Sequence, residues 1–257
     1  MAPNSPGYEP RPDALLGGRL TLRQPRGGHR AGTDAVLLGA CVPPDAAGKA
    51  GDIGAGAGTA GLIALSRAPA LDMTFVEIDP DLAACCRDNI AGNGFSDRAR
   101  EICANVLTGK ARRAGGLGEG AFDLVLTNPP FHHPASVRVS PDARKATAHV
   151  VEGGLDPWMK AALALLAPGG SFLMIHRADA LAGLLKAAGG RVGGLRLMPV
   201  LPRADQPAIR LLIGGRKGSR APLAILPPLI LHEADGRFTP RAEAIHRGEA
   251  GIELGLH

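Results

Sequence analysis

The stretch Ala50-Gly-Asp-Ile-Gly-Ala-Gly-Ala-Gly58, followed some way on by Asp72-Met-Thr-Phe-Val-Glu77, restricts the fold more than any other part of the chain. A short strand through Asp52 and Ile53 runs into Gly54, Gly56 and Gly58, and Thr59 to Ser66 then has helical character. Glycines let a backbone turn tightly and approach a ligand that a Cβ would exclude. The second strand ends in an acid about twenty residues beyond the loop, the spacing at which a carboxylate reaches a ribose diol. Asp79 then stands as an N-cap with Pro80 at the first helical position, and this helix is expected to end near Gly92. Strand, glycine loop, helix, strand and acid, in that order, predict an α/β chain with a nucleotide-type cofactor at the loop.

A second constraint lies at Asp123-Leu-Val-Leu-Thr-Asn-Pro-Pro-Phe131, within a strand expected over Phe122 to Thr127. The Asn128 side-chain oxygen and the Pro129 carbonyl can each accept a hydrogen bond from an exocyclic NH2. Pro130 fixes its own φ and biases Pro129 toward an extended conformation, so both acceptors are held rigid. Phe131 offers a face on which a planar base or amide can stack, worth about 1–3 kcal/mol per base. Two acceptors on one amino group draw its nitrogen toward sp3 character and free the lone pair for attack. Without such chemistry the stretch is a strand ending in a proline-stiffened turn.

The rest of the chain is read around these two sites. Thr33 or Asp34 can cap an apolar helix starting at Ala35, and Asp34 serves equally as a cofactor-side contact. A third strand is expected over Arg100 to Asn105. The segment His132 to His149 is long, polar and cationic, and is expected to act as a substrate-side lid, with His132, His133 and His149 as solvated or capping residues. Asp156-Pro157 is expected to cap a helix carrying Trp158, Ala161, Ala162, Leu165 and Leu166 on one face. Pro168-Gly169-Gly170 should break it before a fifth strand over Ser171 to Ile175, with a helix near Ala178–Ala188 and strands near Leu195–Val200 and Ala208–Gly214 to follow.

With 257 residues the chain suffices for one large domain, and 45% hydrophobic content marks it as globular. Aromatics make up only 3%, so the core must be built from Ala, Leu, Val and Ile. No apolar leader follows Met1, and the most apolar run, Ala161 to Ile175, is broken by Pro168-Gly-Gly and too short to span a bilayer. A cytoplasmic protein is expected. Cys41, Cys85, Cys86 and Cys103 form no CxxC pair and have no His cluster beside them, so they are read as reduced, buried small hydrophobes, with no metal implied. The net charge is +5 and the pI about 9.3, compatible with a polyanionic partner. Arg191, Arg196, Arg203, Arg210, Arg216, Lys217 and Arg220 lie in a region whose single acid is Asp205. If Arg203, Arg210, Lys217 and Arg220 share a face they suit a phosphate backbone; otherwise they are edge-strand charges that deter aggregation.

The Asp-x-Gly-x-Gly-x-Gly loop and the Glu77-Ile-Asp-Pro run resemble those of class I S-adenosylmethionine-dependent methyltransferases, and Asn128-Pro-Pro-Phe131 resembles the motif of those that modify a nitrogen conjugated to a π-system. From Gln24 to Gly248 the order of motifs is similar to the bacterial tRNA-valine adenine-N6 methyltransferase family. Gln24 to Leu38, the two motifs above, Pro202-Arg-Ala-Asp-Gln-Pro-Ala-Ile-Arg210, Gly215-Arg-Lys-Gly218, Pro227-Pro-Leu-Ile-Leu-His232 and Asp235-Gly236 carry that similarity.

The resemblance implies a doubly wound, Rossmann-like sheet of seven strands, mostly parallel, with an antiparallel last strand. It implies one domain over 1–257, with an N-terminal extension (1–40), a core (41–220) and a C-terminal extension (221–257). It implies S-adenosyl-L-methionine as cofactor at Asp34, Asp52, Gly54, Gly56, Gly58, Glu77 and Asn128, with Asn105 where such enzymes often carry an Asp that binds the adenine amino group. Catalysis falls to Asn128, Pro129, Pro130 and Phe131, and the partner is tRNA. The same tetrapeptide also serves protein glutamine-N5 and ribosomal RNA guanine-N2 methylation. The first is expected with a helical N-terminal domain and the second with a duplicated domain. A non-catalytic RNA- or cofactor-binding module is a reading of another class, opposed by the intact tetrapeptide.

Overall fold

The computed structural model describes residues 12–25, 32–129 and 155–256. A hairpin of β1 (Pro12–Leu15) and β2 (Leu20–Arg23) leads to helix α1 (Thr33–Ala40). Alternating elements follow: β3 (Gly48–Ile53), α2 (Thr59–Arg67), β4 (Leu71–Glu77), α3 (Pro80–Gly92), β5 (Ala99–Cys103), α4 (Gly109–Ala114) and β6 (Phe122–Thr127). Then come α5 (Leu155–Leu165), β7 (Leu166–Arg177), α6 (Leu181–Ala188), β8 (Val192–Leu201) and β9 (Arg210–Lys217). The C-terminal part adds β10 (Ala224–Ile225), β11 (Leu229–Ile230) and α7 (Pro240–His246). Pro130, Phe131 and the expected lid with its three histidines lie outside the described residues.

The seven long strands lie in the order β8-β9-β7-β6-β3-β4-β5, parallel except for β9, which runs antiparallel to both its neighbours. This is the expected seven-stranded sheet. Two short strands, β10 and β11, add themselves to β8. From β3 the chain winds outward through β4 and β5, then returns to the other side of β3 with β6 and β7. The order therefore reverses between β3 and β6, and in open α/β sheets ligands bind at such a switch point, beyond the carboxyl ends of the strands.

Strand residues alternate between two apolar layers, as a sheet covered on both faces requires. Met73, Phe75, Leu124, Leu126, Leu173 and Ile175 face one layer with α1 and α2, which also takes Leu22 from the hairpin and Ala242, Ile245 and Ile252 from the C-terminal part. Val76, Val125, Phe172 and Met174 face the other, under α5 and α6. The expected break at Pro168-Gly169-Gly170 is a bulge instead. Leu166 already pairs with Phe122, and the register then shifts before Leu124 meets Ser171.

Candidate active site

Register brings the site together. Ile53 pairs with Val76 on one side and with Thr127 on the other, so Gly54, Glu77 and Asn128 each stand one residue past the same level, at the carboxyl ends of their strands. All three line a cavity of about 800 Å³, with Asp34, Asp52, Gly56 and Asn105.

At one end of this cavity the polar groups are mutually satisfied. Gly54, Gly56 and Gly58 all have positive φ (75°, 57° and 89°), which lets the loop turn back under the carboxyl end of β4. Gly54 and Ala55 donate to the Val76 carbonyl at 2.8 and 3.1 Å. The buried Glu77 carboxylate accepts from Gly56 N–H through Oε2 at 2.8 Å, and from Ile78 and Asp79 N–H through Oε1 at 2.8 and 2.9 Å. It thereby ties the glycine loop to the start of α3, and Oε2 retains acceptor capacity toward the cavity. A Cβ on Gly56 would meet no protein atom within 4 Å, so the backbone there is open to whatever fills the space.

The N-cap position of helix α2 is Gly58, which has no side chain to cap it; the Asp52 carboxylate does so from β3, accepting from Gly61 N–H at 2.9 Å. Burial pushes the Asp52 carboxyl up to about 7, against the lowering effect of that bond, and the nearby Glu77 charge pushes it further up. Asn105 Oδ1 accepts from Leu107 N–H at 2.9 Å, so the oxygen expected to meet an adenine amino group is partly engaged in its own turn.

At the other end groups are left open. Asn128 Oδ1 is buried without a hydrogen-bond partner among the described residues, and Pro129 after it is buried. The preceding Thr127 donates its hydroxyl to the Ile53 carbonyl at 2.8 Å and accepts from the Trp158 indole N–H at 2.9 Å. Trp158 in turn lies against Gly54, where an added Cβ would come within 2.9 Å of the ring. The sequence places Trp158 on an apolar helix face; the structure makes it the wall joining the glycine loop to the Asn128 strand. The walls beyond Asn128 are Leu37, Val200, Ile209, Leu231 and His232.

Several expected roles are corrected. Asp34 is not an N-cap: Gly32 holds that position, and Asp34 pairs with Arg210 Nε at 2.8 Å, linking α1 to β9 at the cavity wall. Asp156 lies inside the first turn of α5 and pairs with Arg191 at 3.0 Å. The four basic residues considered for RNA do not share a face. Arg203 follows β8 and Arg210 opens the antiparallel β9, both at the site end of the sheet, whereas Lys217 closes β9 and Arg220 follows it, at the far end. Arg210 is engaged with Asp34. Lys217 donates to the Leu163 and Leu166 carbonyls at 2.7 and 2.5 Å, satisfying the C-terminus of α5. Arg203 and Arg220 remain exposed. Cys103 is exposed, not buried; Cys41, Cys85 and Cys86 are buried, none of the four is in a disulfide, and burial pushes the Cys41 and Cys86 thiols far up. Among the described residues no group of three or more His, Cys, Asp or Glu is placed to hold a metal ion, and no helix is long and apolar enough to cross a membrane.

Known proteins bear on this geometry. The methyltransferase small domain family matches residues 30–182. A protein of Porphyromonas gingivalis named tRNA1(Val) (adenine(37)-N6)-methyltransferase is 35% identical over 82% of this chain and 84% of its own length. One of the same name from Aeromonas hydrophila is 31% identical over 82% and 86%. A crystal structure from Agrobacterium tumefaciens, described as a predicted O-methyltransferase, superposes with a TM-score of 0.73 at 32% identity, covering 86% of this chain and 99% of that one. The tRNA (m1A58) methyltransferase of Aquifex aeolicus, 13% identical with a TM-score of 0.53 over 79% of this chain and 76% of its own, shares the fold. The chain belongs to the methyltransferase small domain family, among relatives named as tRNA1(Val) adenine-N6 methyltransferases.

Proposed function

We propose that this protein transfers a methyl group from S-adenosyl-L-methionine to the N6 amino group of an adenine in tRNA, next to the anticodon. The observation that carries the reading is the Asn128 amide oxygen, buried and unpartnered at the carboxyl end of β6. An unmet buried acceptor costs about 1–3 kcal/mol, and an N–H donor on a bound acceptor group would remove that cost. The same observation weighs against a hydroxyl acceptor. A hydroxyl that has given up its proton to become a nucleophile has no hydrogen left for Asn128, whereas an amino group has two.

The residues fit the cofactor. The backbone at Gly56 is unobstructed on the cavity side, and Glu77 Oε2 has capacity for a ribose hydroxyl. Asn105 faces the same space for the base, its oxygen already taking one bond from Leu107. S-adenosyl-L-methionine supplies an electrophilic methyl group on a sulfonium. The protein's part is to hold the acceptor amine in line with it, and orientation of this kind can contribute about 7–11 kcal/mol. Asn128 Oδ1 and the Pro129 carbonyl accept from the amine's two hydrogens and keep its lone pair available, and the methylated nitrogen then loses one of those protons to water; Pro130 and Phe131, outside the described residues, are proposed to stiffen the turn and to stack the ring. Arg203, exposed at the site end of the sheet, is proposed as a phosphate contact.

The test is nucleoside mass spectrometry of unmodified tRNA incubated with the protein and labelled cofactor. N6-methyladenosine next to the anticodon is expected. N2-methylguanosine, methylglutamine in a protein or a methyl ether would assign the site to another acceptor.

A further inference from the structure

Three rings form a pile at the acceptor end of the cavity. His232 and Phe238 have centroids 4.8 Å apart and planes 17° from parallel; Phe238 and His246 are 4.3 Å apart and 25°. Backbone bonds fix the pile. His232 and Phe238 face each other across an antiparallel bridge, His232 N–H donates to the Pro202 carbonyl at 2.9 Å, and Glu233 N–H donates to Arg237 across the turn between them at 2.9 Å. His246 rides on α7 with its Nδ1 2.8 Å from the Ala242 carbonyl oxygen. Of the three rings, His232 alone lines the cavity. Its Nδ1 is buried without a partner among the described residues.

Aromatic rings are too scarce in this chain for the pile to be read as ordinary core. Phe75, Phe122 and Phe172 are fully in the apolar layers, Phe95 lies beneath the Arg98 guanidinium, and Trp158 is fixed by Thr127. Glue between α7 and β11 would need only apolar side chains, and would not leave imidazole nitrogens of both His232 and His246 buried and unmet.

We infer that His232, backed by Phe238 and His246, is a positioning residue for the RNA acceptor: a platform on which a nucleobase at or beside the target adenine stacks. The inference rests on the proposed RNA function. Single-stranded RNA is recognised by unstacked bases laid on aromatic side chains, histidine included, with hydrogen bonds to their edges. Phe238 covers one face of the His232 ring, and the ring nonetheless lines the cavity. Because the ring is already held from behind, it need not be ordered when the base arrives.

The experiment measures kcat and KM for an unmodified anticodon stem-loop RNA, cofactor affinity and melting temperature in wild type, His232→Ala and His232→Phe. His232→Ala is expected to raise the RNA KM by at least about tenfold, in the range of one lost base stack, with cofactor affinity and melting temperature unchanged. His232→Phe should restore most of the lost affinity. If His232→Ala does not fold, His232→Leu, which keeps apolar contact with Phe238 but has no π-face, replaces it. A folded Ala or Leu variant with wild-type KM overturns this inference alone. A loss that merely follows the folded fraction, with Phe no better than Ala, also overturns it. A wild-type protein that methylates no RNA removes the proposed function and this inference together.

Discussion

The two ends of the cavity are built on opposite principles. Around Gly54–Gly58 the polar groups answer one another: Glu77 takes three backbone N–H bonds, Asp52 caps α2, and Asn105 closes its own turn. Around Asn128 and His232 they do not, and buried oxygen and nitrogen atoms are left without partners. A satisfied site is preorganised for one ligand and holds its shape without it. An unsatisfied one keeps its hydrogen-bonding capacity for the partner, at a cost in stability. The difference fits a protein that takes a small molecule of constant shape at one end and must fit a second, larger one at the other, both exchanged at each turnover.

The contrast is most exposed to a change at Asn128. Asn128→Ala should cost about 10³-fold in single-turnover methyl transfer, the scale of one preorganised hydrogen-bonding group, while cofactor affinity by titration calorimetry holds and the melting temperature does not fall. Asn128→Asp keeps the acceptor and should retain part of the rate. Wild-type rates from well-folded Asn128→Ala would break the comparison, because the open oxygen would then have no use. At the other end, Gly56→Val should abolish cofactor binding, an affinity loss of about a hundredfold or more, with the fold retained at reduced stability. Its Cβ enters open space, and the left-handed φ of 57° costs roughly 1–2 kcal/mol. Gly58→Val should instead destabilise the fold itself, since its Cβ would come within 2.7 Å of the buried Cys86 Sγ. Thermal melts and calorimetry on the pair separate the two glycines, and equal behaviour would show that the loop is one structural unit.

The smallest expected effect concerns charge. Arg203→Ala should lower the salt slope of RNA binding by about one unit, for one phosphate contact, and Arg220→Ala should leave it unchanged. An equal effect from both would place RNA on both ends of the sheet.

The parts of this design legible in the sequence are those written locally. Glycine spacing, the Asp79–Pro80 cap and the apolar run before Asn128 place α3 and β6 at their observed limits, Pro80–Gly92 and Phe122–Thr127. What could not be read depends on partners far along the chain. Asp34 has the sequence context of a cap, yet Arg210, 176 residues away, claims its carboxylate. Lys217 reads as a surface cation until β9 is folded beside α5, whose last carbonyls then need a donor. Pro168-Gly-Gly reads as a break because a bulge and a turn draw on the same residues. His232 carried the signal of a tail motif but no hint that two later rings would stack behind it.

The wall between the two ends has a practical consequence. Trp158 is the only tryptophan in the chain, and its indole N–H is held by the residue before Asn128 while its ring lies against the first glycine of the loop. The tryptophan emission of this protein therefore comes from one indole at the boundary between both ligands. Each binding event should shift its intensity or wavelength, with no second indole to mask the change. The wild-type molecule thus carries its own optical reporter for the order in which its two ligands arrive.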